Sequence, residues 1–121
     1  MVVEYKCPWK HKDLHPKQAF LTQEIGGLEK NNRFLLAPSS PYYYQIQTQM
    51  FVAELSLCDF VVWTNQGIYT LQVSYNAEFM ANVCKKLELF WLAEILPCLM
   101  AEVPRNFESS LHGRSNFKIF T

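Results

Sequence analysis

A short β-strand at the start of the sequence places the strongest constraint on the fold. Val2, Val3 and Tyr5 favour extended backbone, and Pro8 ends the run because it has no N–H to donate to a sheet. Hydrophobic residues flank the polar positions of this strand. We therefore expect residues 1–7 to form a central strand whose neighbours are missing from this sequence.

Helix and strand patterns alternate through the rest of the chain. Apolar residues at helical spacing favour a helix over 42–55, with a stripe formed by Tyr43, Ile46, Met50 and Ala53. In chain order, the first strand is followed by a short helix from Pro16 to about Gln23 and by a small hairpin that turns at Asn31-Asn32. After the helix over 42–55, the sequence predicts a second hairpin over 58–73 that turns at 65–67. A last helix is predicted from about 76 to 100, and Pro97 is expected to kink or shorten it. This order is typical of an α/β or α+β fold.

The composition of the chain limits the kinds of partner and the cellular compartment that we expect for the domain. Eleven lysines and arginines balance eleven aspartates and glutamates over 121 residues, so a uniformly basic nucleic-acid-binding coat is excluded and a local basic patch is not. Charged residues interrupt the longest apolar stretch, so we expect no membrane span, and no signal peptide is recognisable. The four cysteines lack zinc-knuckle spacing and are expected to be reduced and mostly buried, in an intracellular protein of the nucleus or cytoplasm.

Glu4 and Lys6 are the most informative pair of polar residues. Side chains at i and i+2 of a strand project from the same face, so a carboxylate and an ammonium lie side by side on the first strand. Such a carboxylate can hold a hard divalent cation, and the ammonium can orient a metal-bound water or stabilise charge on a phosphate. An ion pair on a strand surface is the alternative for these two residues taken alone.

A wider set of motifs gives this pair a context. Glu4-Tyr5-Lys6-Cys7-Pro8 is followed by a basic, aromatic loop and by Tyr42-x-x-Gln45-x-Gln47 at the start of a helix. This combination resembles the YqaJ viral-recombinase family, the λ-exonuclease-like branch of the PD-(D/E)xK nucleases. The resemblance continues through Cys58 to Thr64, Gly67, Phe79 and Leu96-Pro97.

The resemblance implies a role for each matched residue. Glu4 would bind the metal ion, the backbone carbonyl of Tyr5 would be a further ligand, and Lys6 would assist the attacking water. Gln45 would support the water or the lysine from a helix that lies against the active site, with Tyr42 one helical turn before it. The implied activity is metal-dependent degradation of duplex DNA from an end, with Mg²⁺ or Mn²⁺ as the cofactor, in recombination by strand annealing.

The loop after the first strand is expected to contact DNA. Lys10 and Lys12 lie just beyond the Glu-x-Lys strand, where a DNA backbone would pass, and Lys12 stands where relatives often have arginine. Together with Tyr42 they are the DNA-binding residues that we expect, and a solvated basic loop is the alternative. The implied partners are a duplex DNA end and, because exonucleases of this family enclose DNA as rings, further copies of the chain in a homo-oligomer.

One part of the family's site has no counterpart in this sequence. The family needs an acidic residue, usually Asp, on the strand before Glu-x-Lys, yet only three residues precede Glu4, and Asp13 and Asp59 belong to other motifs. We therefore expect a restriction-endonuclease-like α/β fold, a mixed sheet flanked by helices, that is truncated at its N-terminus. The nuclease-like domain is expected to span residues 1–103, with a polar tail over 104–121, and would need the missing Asp from elsewhere for hydrolysis.

Two other functions fit the same residues. One is a non-catalytic DNA-binding or protein-interaction remnant of a mobile-element nuclease, in which metal binding is lost. The other is an unrelated small α+β interaction domain, in which Glu4 and Lys6 form a simple ion pair. The interaction domain can be distinguished from the nuclease by geometry, because a nuclease-type site requires Gln45 to lie near Lys6.

Overall fold

A three-stranded mixed sheet, a separate two-stranded hairpin and several helices make this an α/β protein. A computed structural model describes residues 1–102. The main sheet consists of β1 (Val2–Lys6), β4 (Leu57–Thr64) and β5 (Gly67–Ser74) in the order β1-β4-β5, and the hairpin consists of β2 (Gly27–Lys30) and β3 (Arg33–Leu36). The helices are α1 (Pro16–Phe20), α2 (Pro41–Ala53), α3 (Ala77–Phe90) and α4 (Leu96–Glu102), with a 3-10 turn at Trp9–His11 and a π-helical segment at Trp91–Ile95.

The chain divides into two units, Met1–Met80 and the part from Ala81 onward. The first unit holds both sheets, α1, α2 and the first turn of α3. Residues 103–121, which include the predicted polar tail, lie outside the described part. No helix described over residues 1–102 is both long enough and apolar enough to cross a membrane.

The second unit is helical as far as it is described. A proline lacks the N–H of an α-helical hydrogen bond and its ring crowds the carbonyl four residues earlier, so Pro97 disturbs the helix that contains it. The π-helical segment Trp91–Ile95 lies immediately before it, where the Leu96 N–H donates to the Trp91 carbonyl. The predicted break at Pro97 therefore takes the form of a π-helical turn. Many large apolar side chains of this unit are exposed, among them Leu87, Leu89, Phe90, Leu92 and Met100.

The central strand of the main sheet is β4. It pairs in parallel with β1, from Val2 opposite Cys58 to Lys6 opposite Val62, and antiparallel with β5. No strand from residues 1–102 lies on the other side of β1. Because β1 and β4 are parallel, their carboxyl ends lie at the same edge of the sheet, which we call the carboxyl edge.

One face of the sheet carries the core. The fully buried side chains Cys58, Phe60 and Val62 alternate along β4 and pack against α1 and α2. From α2, the core receives Tyr43, Ile46 and Met50, so this part of the predicted stripe is confirmed, whereas Ala53 is exposed in the last turn. Their partners on α1 and the following turn are Ala19, Phe20 and Ile25.

Both predicted hairpins are confirmed. Asn31 and Asn32 form the turn between β2 and β3 with φ values of 52° and 59°, a left-handed conformation that asparagine tolerates better than most residues. Asn65 and Gln66 form the turn between β4 and β5, where Thr64 pairs with Gly67. The helix predicted from Pro16 to about Gln23 is shorter, because α1 ends at Phe20 and a turn takes over.

The four cysteines are all free, but the expectation that most are buried is wrong. Only Cys58 is buried, on the core face of β4, while Cys7 and Cys98 are exposed and Cys84 is intermediate. Cys7 is exposed because it follows the last residue of β1. Burial, with smaller contributions from the negative charges of Glu4 and Asp59, raises the pKa of the Cys58 thiol to about 11.

Candidate functional site

Glu4 and Lys6 form an ion pair on the helix-facing side of β1. The alternation of the strand turns Val2, Glu4 and Lys6 towards α2, whereas Val3 and Tyr5 point to the other face and are exposed. Nζ of Lys6 lies 2.8 Å from Oε1 of Glu4, and the two side chains are 17% and 18% exposed. The pair is thus largely shielded from water, unlike an ordinary surface ion pair.

A glutamine of α2 joins both members of the pair. Oε1 of Gln45 accepts a hydrogen bond of 2.9 Å from Nζ of Lys6, and Nε2 of Gln45 donates one of 3.1 Å to Oε1 of Glu4. One amide therefore matches its acceptor to the ammonium and its donor to the carboxylate. The expectation that Gln45 lies beside Lys6 is confirmed.

A second glutamine, Gln49, completes the polar cluster, and the sequence interpretation did not single it out. Its Nε2 donates a 3.0 Å hydrogen bond to Oε2 of Glu4, and its own Oε1 is buried with no hydrogen-bond partner among residues 1–102. The helical period held the signal, because residues four apart share one face of a helix. Gln47 lies on the opposite face, fully buried, where it bonds to the carbonyl of Ser74 and the N–H of Asn76. Two of the three glutamines, Gln45 and Gln49, therefore line the site.

Tyr42 contacts the lysine of the pair. Nζ of Lys6 lies 4.3 Å from the centroid of the Tyr42 ring, a cation–π distance, and the same ring packs against Phe60. Tyr42 and Gln45 are three residues apart on α2, so both reach the end of β1. We expected Tyr42 to bind DNA; its described contacts hold the position of Lys6, and its contact with DNA stays a prediction.

The ionisation of Glu4 is set by two opposing influences. Burial, the largest single one, disfavours the charged carboxylate, but the hydrogen bonds from Lys6, Gln49 and Gln45 and the charge of Lys6 outweigh it together. The pKa of Glu4 therefore lies below its ordinary value. Glu4 is a fixed negative group at neutral pH and a poor proton acceptor.

The basic loop lies at the carboxyl edge of the sheet and is tied to the hairpin that follows β4. The Asn65 N–H donates to the Lys12 carbonyl over 2.7 Å, Nδ2 of Asn65 donates to Oδ1 of Asp13 over 2.8 Å, and Nε2 of Gln66 donates to the Asp13 carbonyl. Asp13 is thereby committed to holding the loop. Lys10 is exposed and Lys12 is half-buried, and both lie on the stretch that immediately follows Lys6.

The two histidines of this loop have separate structural tasks. Nδ1 of His15 accepts a hydrogen bond of 3.3 Å from the Lys17 N–H at the start of α1, and Nε2 of His11 lies 3.5 Å from a carboxylate oxygen of Glu24. Lys17 extends over the rings of Phe34 and Tyr69. The remaining cationic residues between the start of β1 and the start of α1 are Lys6, Lys10 and Lys12.

The residues described here do not fit a complete site for Mg²⁺ or Mn²⁺. Glu4 is the only carboxylate in the cluster, and both of its oxygens already accept hydrogen bonds from N–H donors, one of them the ammonium of Lys6. Asp59 pairs with Val3 in register and so belongs to the other face of the sheet, where it accepts a hydrogen bond from Gln72. No group of three histidine, cysteine, aspartate or glutamate side chains within residues 1–102 could hold a metal ion. A ligand role for the Tyr5 carbonyl stays a prediction.

Comparison of the chain with protein-family models, with curated proteins and with solved structures finds no match in any of the three. The family resemblance accordingly stays a prediction, and the geometry of unit Met1–Met80 is the basis for any functional proposal.

Proposed function

We propose that this chain binds DNA at the carboxyl edge of its sheet and contributes the Glu-x-Lys part of a YqaJ-type nuclease site on a restriction-endonuclease-like fold. One observation carries the proposal. Gln45 lies on α2, 39 residues after Lys6, yet its amide bonds to both Lys6 and Glu4, and the family resemblance implies that this glutamine supports the water or the lysine. A chance Glu-x-Lys ion pair would not require an amide of matched polarity from a distant helix.

Residues of the cluster and of the basic loop would have different tasks in phosphodiester hydrolysis. Lys6, at the end of β1, would neutralise charge on the phosphate and orient the attacking water. Glu4 fixes the position of the ammonium, and its lowered pKa keeps it negative throughout. Gln45 fixes the positions of the Glu4 and Lys6 side chains through its hydrogen bonds. Lys10 and Lys12 would attract the DNA phosphates on either side of the site.

Hydrolysis by the metal-dependent route needs an acidic group from outside residues 1–102. A divalent cation in this site would face one carboxylate whose charge Lys6 already balances. The additional carboxylate would come from another segment or another polypeptide. This requirement gives the proposal two parts, DNA binding by this chain and completion of the catalytic site by a further group.

A non-catalytic DNA-binding protein is the second candidate. The ion pair favours it, because an ammonium 2.8 Å from the one carboxylate occupies space that a bound cation would need. In this function the Glu4, Lys6 and Gln45 cluster would stabilise the fold, and only the basic loop would contact DNA.

Degradation of linear duplex DNA separates the two candidates. The full chain is incubated with labelled duplex in Mg²⁺ or Mn²⁺, beside Glu4→Gln and the matched control Glu29→Gln, whose carboxylate is exposed on β2. The nuclease candidate predicts degradation that Glu4→Gln abolishes and Glu29→Gln retains. DNA binding without degradation would contradict a catalytic site completed within this chain and would favour the non-catalytic candidate, and absence of DNA binding would contradict both.

A further inference from the structure

The Trp9 side chain is unusually exposed for a tryptophan. It opens the 3-10 turn Trp9–His11 directly after Pro8, and 75% of the residue is accessible to water. An indole ring of this size contributes to folding mainly by being buried, and Trp9 gains little in this way. Its position is therefore better suited to contact with a ligand than to packing within the described unit.

A cation lies over the Trp9 ring. Nζ of Lys12 is 3.9 Å from the ring centroid, within the range of a cation–π contact. The loop that carries both residues is held by the Asn65 N–H, which donates to the Lys12 carbonyl, and by the hydrogen bond between Asn65 and Asp13. The indole and the ammonium are thus presented together on an anchored loop at the carboxyl edge.

This pairing has the two elements of single-stranded nucleic-acid binding. Proteins that bind unpaired strands combine aromatic rings, on which bases stack, with nearby cations that bind the phosphates. The bases inside a duplex are already stacked on each other, so an exposed indole can stack only on a terminal or unpaired base. Lys10, the next residue in sequence and exposed, adds a second cation to the same loop.

We propose that Trp9 is a stacking platform for an unpaired base at a DNA end, with Lys12 binding the adjoining phosphate. This inference rests on the proposed DNA-binding function and specifies its substrate class, which is DNA whose end carries unpaired nucleotides. Trp9 would thereby position the end of the DNA strand beside Glu4 and Lys6, because the loop that carries Trp9 follows directly after β1, which carries Glu4 and Lys6.

The test compares two DNA ligands that differ only at the end. Fluorescence anisotropy measures the affinity of the full chain for a blunt duplex and for the same duplex with a short single-stranded overhang. Trp9→Ala should weaken binding to the overhang duplex by about tenfold, since base stacking on an aromatic side chain is worth roughly that factor or more, and should change binding to the blunt duplex much less. Trp9→Phe, which keeps an aromatic ring, should restore most of the affinity.

A matched control uses a different partly exposed tryptophan. Trp63 is 43% exposed on β4, and its position in the strand places it on the face opposite to the buried Val62. Trp63→Leu should bind both ligands like the wild type. The overhang duplex should quench the tryptophan fluorescence of Trp63→Leu, whereas this quenching should be lost in Trp9→Ala. Circular dichroism confirms that the variants are folded.

The results distinguish a failure of this inference from a failure of the proposed function. Equal binding of the overhang duplex by Trp9→Ala and the wild type would overturn the stacking role, as would an equal loss for both ligands. DNA binding that Lys10→Gln/Lys12→Gln weakens would then still support the proposed function. A wild type that binds neither ligand would overturn the proposed function, and the stacking role with it.

Discussion

The ammonium of Lys6 lies 2.8 Å from the carboxylate of Glu4 on one face of β1, and the amide of Gln45 bonds to both groups. The two charged side chains are mostly shielded from water, so each depends on the other and on the amides of α2. The cluster therefore has measurable consequences for stability, for its dependence on pH and for function.

The ion pair should show energetic coupling in a double-mutant cycle. Lys6→Met leaves a shielded carboxylate with only amide donors, and Glu4→Gln leaves a shielded ammonium with only neutral acceptors. We expect the sum of the losses in free energy of unfolding of the two single variants to exceed the loss of the double variant by about 1 kcal/mol. This coupling energy lies between the values typical of exposed and of buried ion pairs. Urea unfolding measures all four proteins, and strict additivity would contradict the coupling.

Stability should fall on acidification partly because of Glu4. Its pKa in the folded chain lies below the ordinary value for glutamate, so its contribution to stability is fully present above that ordinary value. That contribution is lost as the pH falls through the folded-state pKa. Glu4→Gln should be less stable at neutral pH and should lose less on acidification than the exposed-site control Glu29→Gln. Thermal unfolding between pH 7 and pH 3 would refute this if the two variants had parallel profiles.

Gln45 and Gln47 should respond differently to the same substitution. Gln45→Leu removes the amide that bonds to Glu4 and Lys6, so the pKa of Glu4 should rise, as carboxyl NMR shifts would report. Gln47→Leu leaves the Ser74 carbonyl and the Asn76 N–H without this partner, which should cost about 2 kcal/mol of stability. The pKa of Glu4 should stay the same in Gln47→Leu, and a shift there would show that the two glutamines are not independent.

Thiol reactivity should follow exposure and pKa. The exposed Cys7 should react with an alkylating reagent near neutral pH far faster than Cys58, whose burial raises the pKa of its thiol to about 11. Mass spectrometry of peptides after timed labelling measures each site in one sample. Unfolding in urea supplies the control, because the two cysteines should then react at similar rates, and equal rates in the folded chain would contradict the described burial.

Much of the arrangement could be predicted from local periodicity. The two-residue period of a strand places Glu4 and Lys6 on one face, and turn residues mark both hairpins. The meeting of Gln45 with Lys6 could not be derived from periodicity, since it depends on how α2 crosses the sheet. That contact was expected only from the family resemblance.

Other features were beyond sequence patterns for identifiable reasons. Gln49 was missed because the Tyr-x-x-Gln-x-Gln motif contains Gln45 and Gln47 but not Gln49. Residues four apart share one face of a helix, and this spacing pairs Gln45 with Gln49. Exposure of Cys7 depends on where β1 ends, and strand ends are poorly marked in sequence. The exposed apolar side chains of the second unit follow a pattern that resembles a core helix, and the pattern alone does not say whether a partner covers them.

Binding of DNA at the carboxyl edge is tested most directly by the salt dependence of DNA binding by the full chain. Lys10→Gln/Lys12→Gln removes two charges at the carboxyl edge, and Lys85→Gln/Lys86→Gln removes two exposed charges from α3 as a matched control. We predict that the first variant binds DNA of any sequence more weakly and that its slope of log affinity against log salt falls by about two, one for each lost phosphate contact. The control should keep the wild-type slope. Equal slopes in all three proteins, or the larger loss in the control, would contradict the placement of DNA at the carboxyl edge.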